Sequence, residues 1–230
     1  MGLLIAAPSF LFSQDEAIKY YRSALEKYKS GTILETLMDL DRSLSLKNDF
    51  DSALYLKGYI EARNSDFKDA IEDLDKVLSL NPKYIDAWYI RGIAKGQAEE
   101  YADAIRDFDK SIELRPDHAK SYYNRALAKG HLADFRSAIK DLDKAVELNS
   151  EYTQAYYSRA FWKDQLGDYD GALNDYNKVI ALDPSYIEAY VSMAIMKYLQ
   201  GDKNGACESL RPAIDHGSFM AEELSERFCK

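Results

Sequence analysis

The chain has 230 residues, with 39 acidic against 30 basic side chains and a formal charge of −9 at pH 7. That balance repels phosphate backbones and disfavours anionic membranes, so nucleic acid is not expected as a partner. With 47% hydrophobic residues, only 5 prolines and 11 glycines, the composition fits packed helices and leaves little for disordered linkers.

The stretch from Met1 to Gln14 carries no charged side chain. Its apolar run, Leu3 to Phe12, is too short to span a bilayer and contains Pro8, so no integral membrane segment is expected. Its length and the small Ser13 at its end are those of a secretory signal peptide within residues 1–16, with Gln14 or Asp15 opening the mature chain. No Lys or Arg precedes Lys19, which leaves a second reading, an apolar cap on the first helical unit. Export to a bacterial periplasm or cell envelope is favoured, with the cytoplasm as the alternative.

From residue 17 the chain divides without gaps into six copies of 34 residues, 17–50, 51–84, 85–118, 119–152, 153–186 and 187–220. A fixed period in this range marks one supersecondary unit copied in tandem. The fourth residue of each copy is large (Tyr20, Leu54, Trp88, Tyr122, Tyr156, Tyr190) and the eighth small (Ala24, Gly58, Gly92, Ala126, Ala160, Ala194). That spacing puts both on one helical face. A small twentieth residue (Ala70, Ala104, Ala138, Ala172, Ala206) and a large twenty-fourth (Leu40, Leu74, Phe108, Leu142, Tyr176, Leu210) predict a second helix. A short polar break between them, such as Ser65-Asp66 or Gly167-Asp168, suits an N-cap and makes the helices antiparallel. Asn81-Pro82, Arg115-Pro116 and Asp183-Pro184 stop the second helix. The expected class is all-α, and each helical pair leaves an apolar face that only the next pair can bury.

Residues 221–230, AEELSERFCK, read as a closing helix over the last exposed face. Cys207 and Cys229, the two cysteines, match no metal motif. They either form a disulfide that ties this helix to its predecessor or remain two thiols.

No constellation for catalysis is found. His118, His131 and His216 are scattered, and there is no phosphate-binding glycine loop and no nucleophile elbow. No enzyme activity, cofactor or metal is expected.

Trp88, Gly92, Tyr101, Ala104, Phe108 and Pro116 together resemble the tetratricopeptide repeat, and the likeness extends over residues 17–220. It implies an α-solenoid, a right-handed superhelix of antiparallel helix pairs whose first helices line a concave groove. The chain departs from the family at the seventh place, which holds Lys57, Arg91, Arg125 and Arg159, and at the eleventh, which holds Lys27, Lys95, Lys129, Lys163 and Lys197. The second helices carry Asp39, Asp73, Asp107, Asp141 and Asp175. These charges form either an ion-pair ladder between helices or a cationic groove for acidic ligands.

The groove positions implied by the resemblance hold Tyr21, Tyr55, Tyr89, Tyr123 and Tyr157 at the fifth place, and Tyr59, Ile93, Leu127 and Phe161 at the ninth. Lys120, Asn124, Gln154 and Ser158 add hydrogen-bonding groups at mid-groove. The two-carboxylate clamp with which some members of the family hold acidic chaperone tails needs Lys at the fifth place and Asn at the ninth, and no copy has them. The expected function is a non-catalytic scaffold binding a peptide or partner helix. The alternatives are carbohydrate or cell-envelope polymer binding, since Tyr faces stack on sugars, and structural self-assembly.

Overall fold

The computed structural model describes residues 8–230, with side chains from Ser13 onward. Among the described residues there are thirteen α-helices and no strand. The contacts form two compact units, Met1–Pro116 and Asp117–Lys230. The first holds α1 (Pro8–Lys29), α2 (Ile33–Leu46), α3 (Asp51–Arg63), α4 (Phe67–Leu80), α5 (Ile85–Gln97) and α6 (Tyr101–Leu114). In the second are α7 (Ala119–His131), α8 (Phe135–Leu148), α9 (Thr153–Gln165), α10 (Tyr169–Leu182), α11 (Ile187–Leu199), α12 (Lys203–Asp215) and α13 (Phe219–Phe228). The part of the expected signal segment before Pro8 lies outside the described residues. From Pro8 the backbone is helical and runs on into α1.

Each odd-numbered helix from α1 to α11 packs against the even one that follows it. The contact is set by a small residue facing a large one. A Cβ added at Gly92 would lie 2.7 Å from the Phe108 ring, and one at Gly58 would lie 2.9 Å from Leu74 Cγ. Phe108, Leu74, Leu142 and Tyr176 are correspondingly at most 2% exposed. Each such burial contributes roughly 1.5–3 kcal/mol.

The turn within each pair is also repeated in its backbone. Gly31, Ser65, Glu99, Ala133, Gly167 and Gly201 all adopt positive φ, from 58° at Ala133 to 87° at Gly201. The next residue then donates its N–H back to the first helix, as in Asp66 to Glu61 at 2.9 Å and Glu100 to Lys95 at 2.8 Å. This left-handed closure satisfies carbonyls that the helix end would otherwise leave open. The capping expected of the aspartates is realised at three turns, where Asp134, Asp168 and Asp202 accept from Ser137, Gly171 and Gly205 N–H. Asp66 makes no such bond.

The repeated charges pair with one another. Arg91 donates Nε and Nη2 to Asp107 at 2.7 and 2.6 Å, and Nη1 to Asp75 on the preceding second helix at 2.5 Å. Arg159 does the same with Asp175 and Asp143. Lys27, Lys95, Lys129 and Lys163 reach Asp39, Asp107, Asp141 and Asp175 at 2.7–2.9 Å. Rings at the fourth place lie beneath the guanidinium groups, with Arg91 4.7 Å over Trp88 and Arg159 5.3 Å over Tyr156. The cations are therefore spent on an internal ladder, in which an arginine ties its own second helix to the one before it. Asp107 is 2% exposed, and bidentate geometry is what makes a buried pair of this kind tolerable.

At the C-terminal end, α13 begins at Phe219, two residues before the expected start, because Ser218 caps it by accepting from Ala221 N–H at 3.3 Å. Phe228 stacks on Tyr198 with ring centroids 3.8 Å apart. Cys207 on α12 and Cys229 after α13 are joined by a disulfide, with their Cα atoms 5.8 Å apart.

Ala133→Gly should raise the melting temperature by relieving a left-handed alanine, a gain of about 1 kcal/mol in thermal unfolding. Asp107→Ala strands Arg91 and Lys95 and should cost about 3–5 kcal/mol in urea unfolding, whereas Glu113→Ala, at an exposed pair, should cost under about 1 kcal/mol. Replacing both cysteines by serine releases a cross-link spanning 22 residues. The expected loss is about 3 kcal/mol, with faster amide exchange in α13 as its local signature.

Candidate functional site

Tyr21, Tyr55, Tyr89, Tyr123 and Tyr157 lie on the first helix of successive pairs, and all are half-buried. Four of them engage an aromatic ring that stands at the entrance to the next pair. The centroid distances are 4.9 Å for Tyr21–Phe50, 4.8 Å for Tyr55–Tyr84, 4.9 Å for Tyr123–Tyr152 and 5.1 Å for Tyr157–Tyr186. Phe50, Tyr84, Tyr152 and Tyr186 are the N-cap residues of α3, α5, α9 and α11. Each contact thus fastens one first helix to the next, and the surface that remains is a double row of rings. Sequence reasoning passed over the second row because its members sit in the inter-copy break. Their spacing of 34, from Phe50 through Tyr84 to Tyr152 and Tyr186 by whole multiples, was the available signal.

Burial, with nearby negative charge in support, pushes the Tyr84 and Tyr186 hydroxyls up to about 12 and also raises Tyr21 and Tyr55, so these four phenols stay protonated over the ordinary pH range. At these four positions the rows present neutral rings that carry hydrogen-bonding hydroxyls.

In the first unit Tyr59 lies one turn beyond Tyr55, with ring centroids 6.3 Å apart, and Tyr28 meets its edge at 6.3 Å. The Tyr89 ring lies 6.2 Å from Phe108, with Ile93 half-buried one turn on. In the second unit Leu127 is half-buried, while Phe161 and Ile195, at the same place of the next two copies, are 39% and 37% exposed. Leu199, one turn past Ile195, is 79% exposed. Lys120 and Gln154 are exposed, and Asn124 donates its amide to the Lys120 carbonyl at 2.9 Å. The Tyr157 hydroxyl lies 3.3 Å from Ser192 Oγ, and Ser158 is half-buried.

Among the described residues no group of three His, Cys, Asp or Glu side chains is placed to hold a metal ion. No helix of the described residues is long and apolar enough to cross a membrane.

Profiles described as tetratricopeptide repeat match residues 55–118, 89–129 and 119–152, and one described as TPR repeat matches residues 165–201. No curated protein matches the chain. Among solved structures it is similar to MamA from Desulfovibrio magneticus RS-1, with 25% identity and a TM-score of 0.71 over 75% of this chain and 97% of that one. It also resembles YrrB, described as a TPR protein with an unusual peptide-binding site, with 21% identity and a TM-score of 0.68 over 82% and 97% of the two chains. Pseudomonas aeruginosa pilF shares the fold at 14% identity, with a TM-score of 0.75 over 94% and 99%. The repeated helical pairs, the spacing of their small and large residues and these matches agree: the chain belongs to the tetratricopeptide repeat family, and its fold is an all-α solenoid that supports a protein-interaction scaffold.

Proposed function

We propose that this chain is a non-catalytic scaffold that holds a peptide segment or a partner helix against the first-helix face of its repeats. The observation that carries the reading is the apolar surface of α9 and α11, where Phe161, Ile195 and Leu199 are all more than a third exposed. Large apolar side chains left partly open to water favour a partner that covers them. The tyrosines beside them offer broad contact area and a hydroxyl at little entropic cost. The contact set is Tyr21, Tyr55, Tyr59, Tyr89 and Ile93 in the first unit and Lys120, Tyr123, Asn124, Leu127, Gln154, Tyr157 and Phe161 in the second. A peptide-binding site is described for YrrB, and the analogy extends that use of the fold to this chain. The preferred ligand is apolar or aromatic. Stacking on sugars is less well supported, because four of the five tyrosine rings are already engaged by the next copy.

The test is to select a peptide from a display library on the intact chain and to measure its affinity by calorimetry. The double variant Phe161→Ser/Ile195→Ser should bind it about tenfold more weakly, because covering the exposed third or so of both side chains is worth about 1–2 kcal/mol in all. Its melting temperature should fall by a few degrees, since each side chain is more than half covered and Phe161 meets the Trp162 ring edge-on, so affinities are compared at a temperature where both proteins are folded. Equal affinity of the double variant and the parent for every selected peptide would falsify the assignment of this face.

A further inference from the structure

The eleventh residue is lysine in five copies and Glu61 in the second. In four of those copies the lysine ammonium sits 2.7–2.9 Å from the buried aspartate of the second helix, and in the sixth Lys197 donates to Ser209 at 3.0 Å. Glu61 instead puts a second carboxyl on α3 near Asp73 of α4. Lys57 is shared between them, 3.8 Å from Glu61 and 3.6 Å from Asp73, and lies closer to Asp41, at 2.9 Å. Lys76 is held by Glu72 at 3.0 Å and Asp73 at 3.2 Å.

Glu61 is 8% exposed, and its Oε2 is buried without a hydrogen-bond partner. With Lys57, Asp69, Glu72, Asp73 and Lys76 it lines a notch of about 170 Å³. A buried carboxylate oxygen without a donor is costly, so an occupant that supplies one is strongly favoured. Burial first, then the charge of Asp73, pushes the Glu61 carboxyl up to about 7, with Asp69 and Asp41 adding to the shift and Lys57 opposing it. The unfolded chain releases this proton at an ordinary carboxylate pH while the folded chain holds it to about 7, so the fold loses stability as pH rises through that interval.

We propose that the notch receives one primary ammonium group from outside the chain, the lysine side chain of a partner protein, which takes between Glu61 and Asp73 the place that Lys95, Lys129 and Lys163 fill in their own copies. The ammonium enters beside the Glu61 carboxyl, whose buried Oε2 lacks a donor, and offsets part of the charge of two facing carboxylates. The charge of −9 draws cationic segments toward the chain. The two resident lysines and the lack of a metal-holding group among the described residues favour an ammonium over a divalent ion. The notch is built by α3 and α4 alone, so the proposal is independent of peptide binding along the tyrosine rows.

The test follows the Glu61 side-chain carboxyl by carbon-detected NMR during a pH titration of the intact chain. n-Butylammonium chloride is compared with tetramethylammonium chloride, which has no N–H, at equal ionic strength. Butylammonium should lower the apparent pKa of Glu61 saturably by about one unit or more, and tetramethylammonium should not. An N-acetylated, C-amidated Gly-Lys-Gly peptide should act as butylammonium does, and its Nε-acetyl form should have no effect. The Asp73 carboxyl resonance should respond to butylammonium in the parent and not in E61K, which supplies its own ammonium. Identical Glu61 titrations in the two salts would overturn the proposal, leaving the notch a store for a proton. A response to butylammonium but not to the lysine peptide would overturn the assignment to a partner side chain in favour of free amines.

Discussion

Two helix backbones can approach closely only where one of them carries a small residue, and in this chain that condition recurs at the eighth place of every copy. Gly92 against Phe108 is its tightest expression, with no room even for a Cβ. Because the small residue receives a large one from the following helix, each pair closes on itself. The residues left on its flank are then available to the next pair. The solenoid, the charge ladder and the aromatic rows all depend on that first close contact, since each uses side chains that the interlock brings to a fixed height.

Two fastenings then connect successive pairs. On one flank Arg91 and Arg159 each bridge an aspartate of their own second helix and one of the helix before. On the first-helix face, rings such as Tyr55 and Tyr84 stack from one pair to the next. One fastening is ionic, running from a largely buried arginine to an aspartate at the surface, and the other is apolar and half-open to water. This division explains why the cations form no acidic-ligand groove: their charge is already used inside the ladder. What remains on the first-helix face, the proposed site of recognition, is mainly aromatic and aliphatic.

The period, the helix pairs and the all-α class were legible because interlocking helices impose side-chain size at fixed spacing, and size is written directly in the residues. The tyrosine row was legible for the same reason. Its partners Phe50, Tyr84, Tyr152 and Tyr186 were not, because they occupy positions that read as breaks, and a loop residue shows no periodicity of its own that assigns it a contact. The left-handed turn was marked by glycine in three copies and hidden in the other three, where Ser65, Glu99 and Ala133 take the same conformation. Glu61 was passed over as an exception in a column of lysines. Its meaning depends on how deeply the position is buried.

The sequence alone therefore determined the repeat, the pairing of helices within it and the chemical character of each column, because these follow from spacing and side-chain size. Only the tertiary structure decided which columns meet. The aspartates meet the arginines of their own and the following copy, four of the five tyrosines meet the ring at the next N-cap, and the two cysteines meet each other. The reason is that a period fixes where a residue lies along the chain, whereas a contact also requires the rotation of one helical pair against the next, which is set by the packing of all their side chains together.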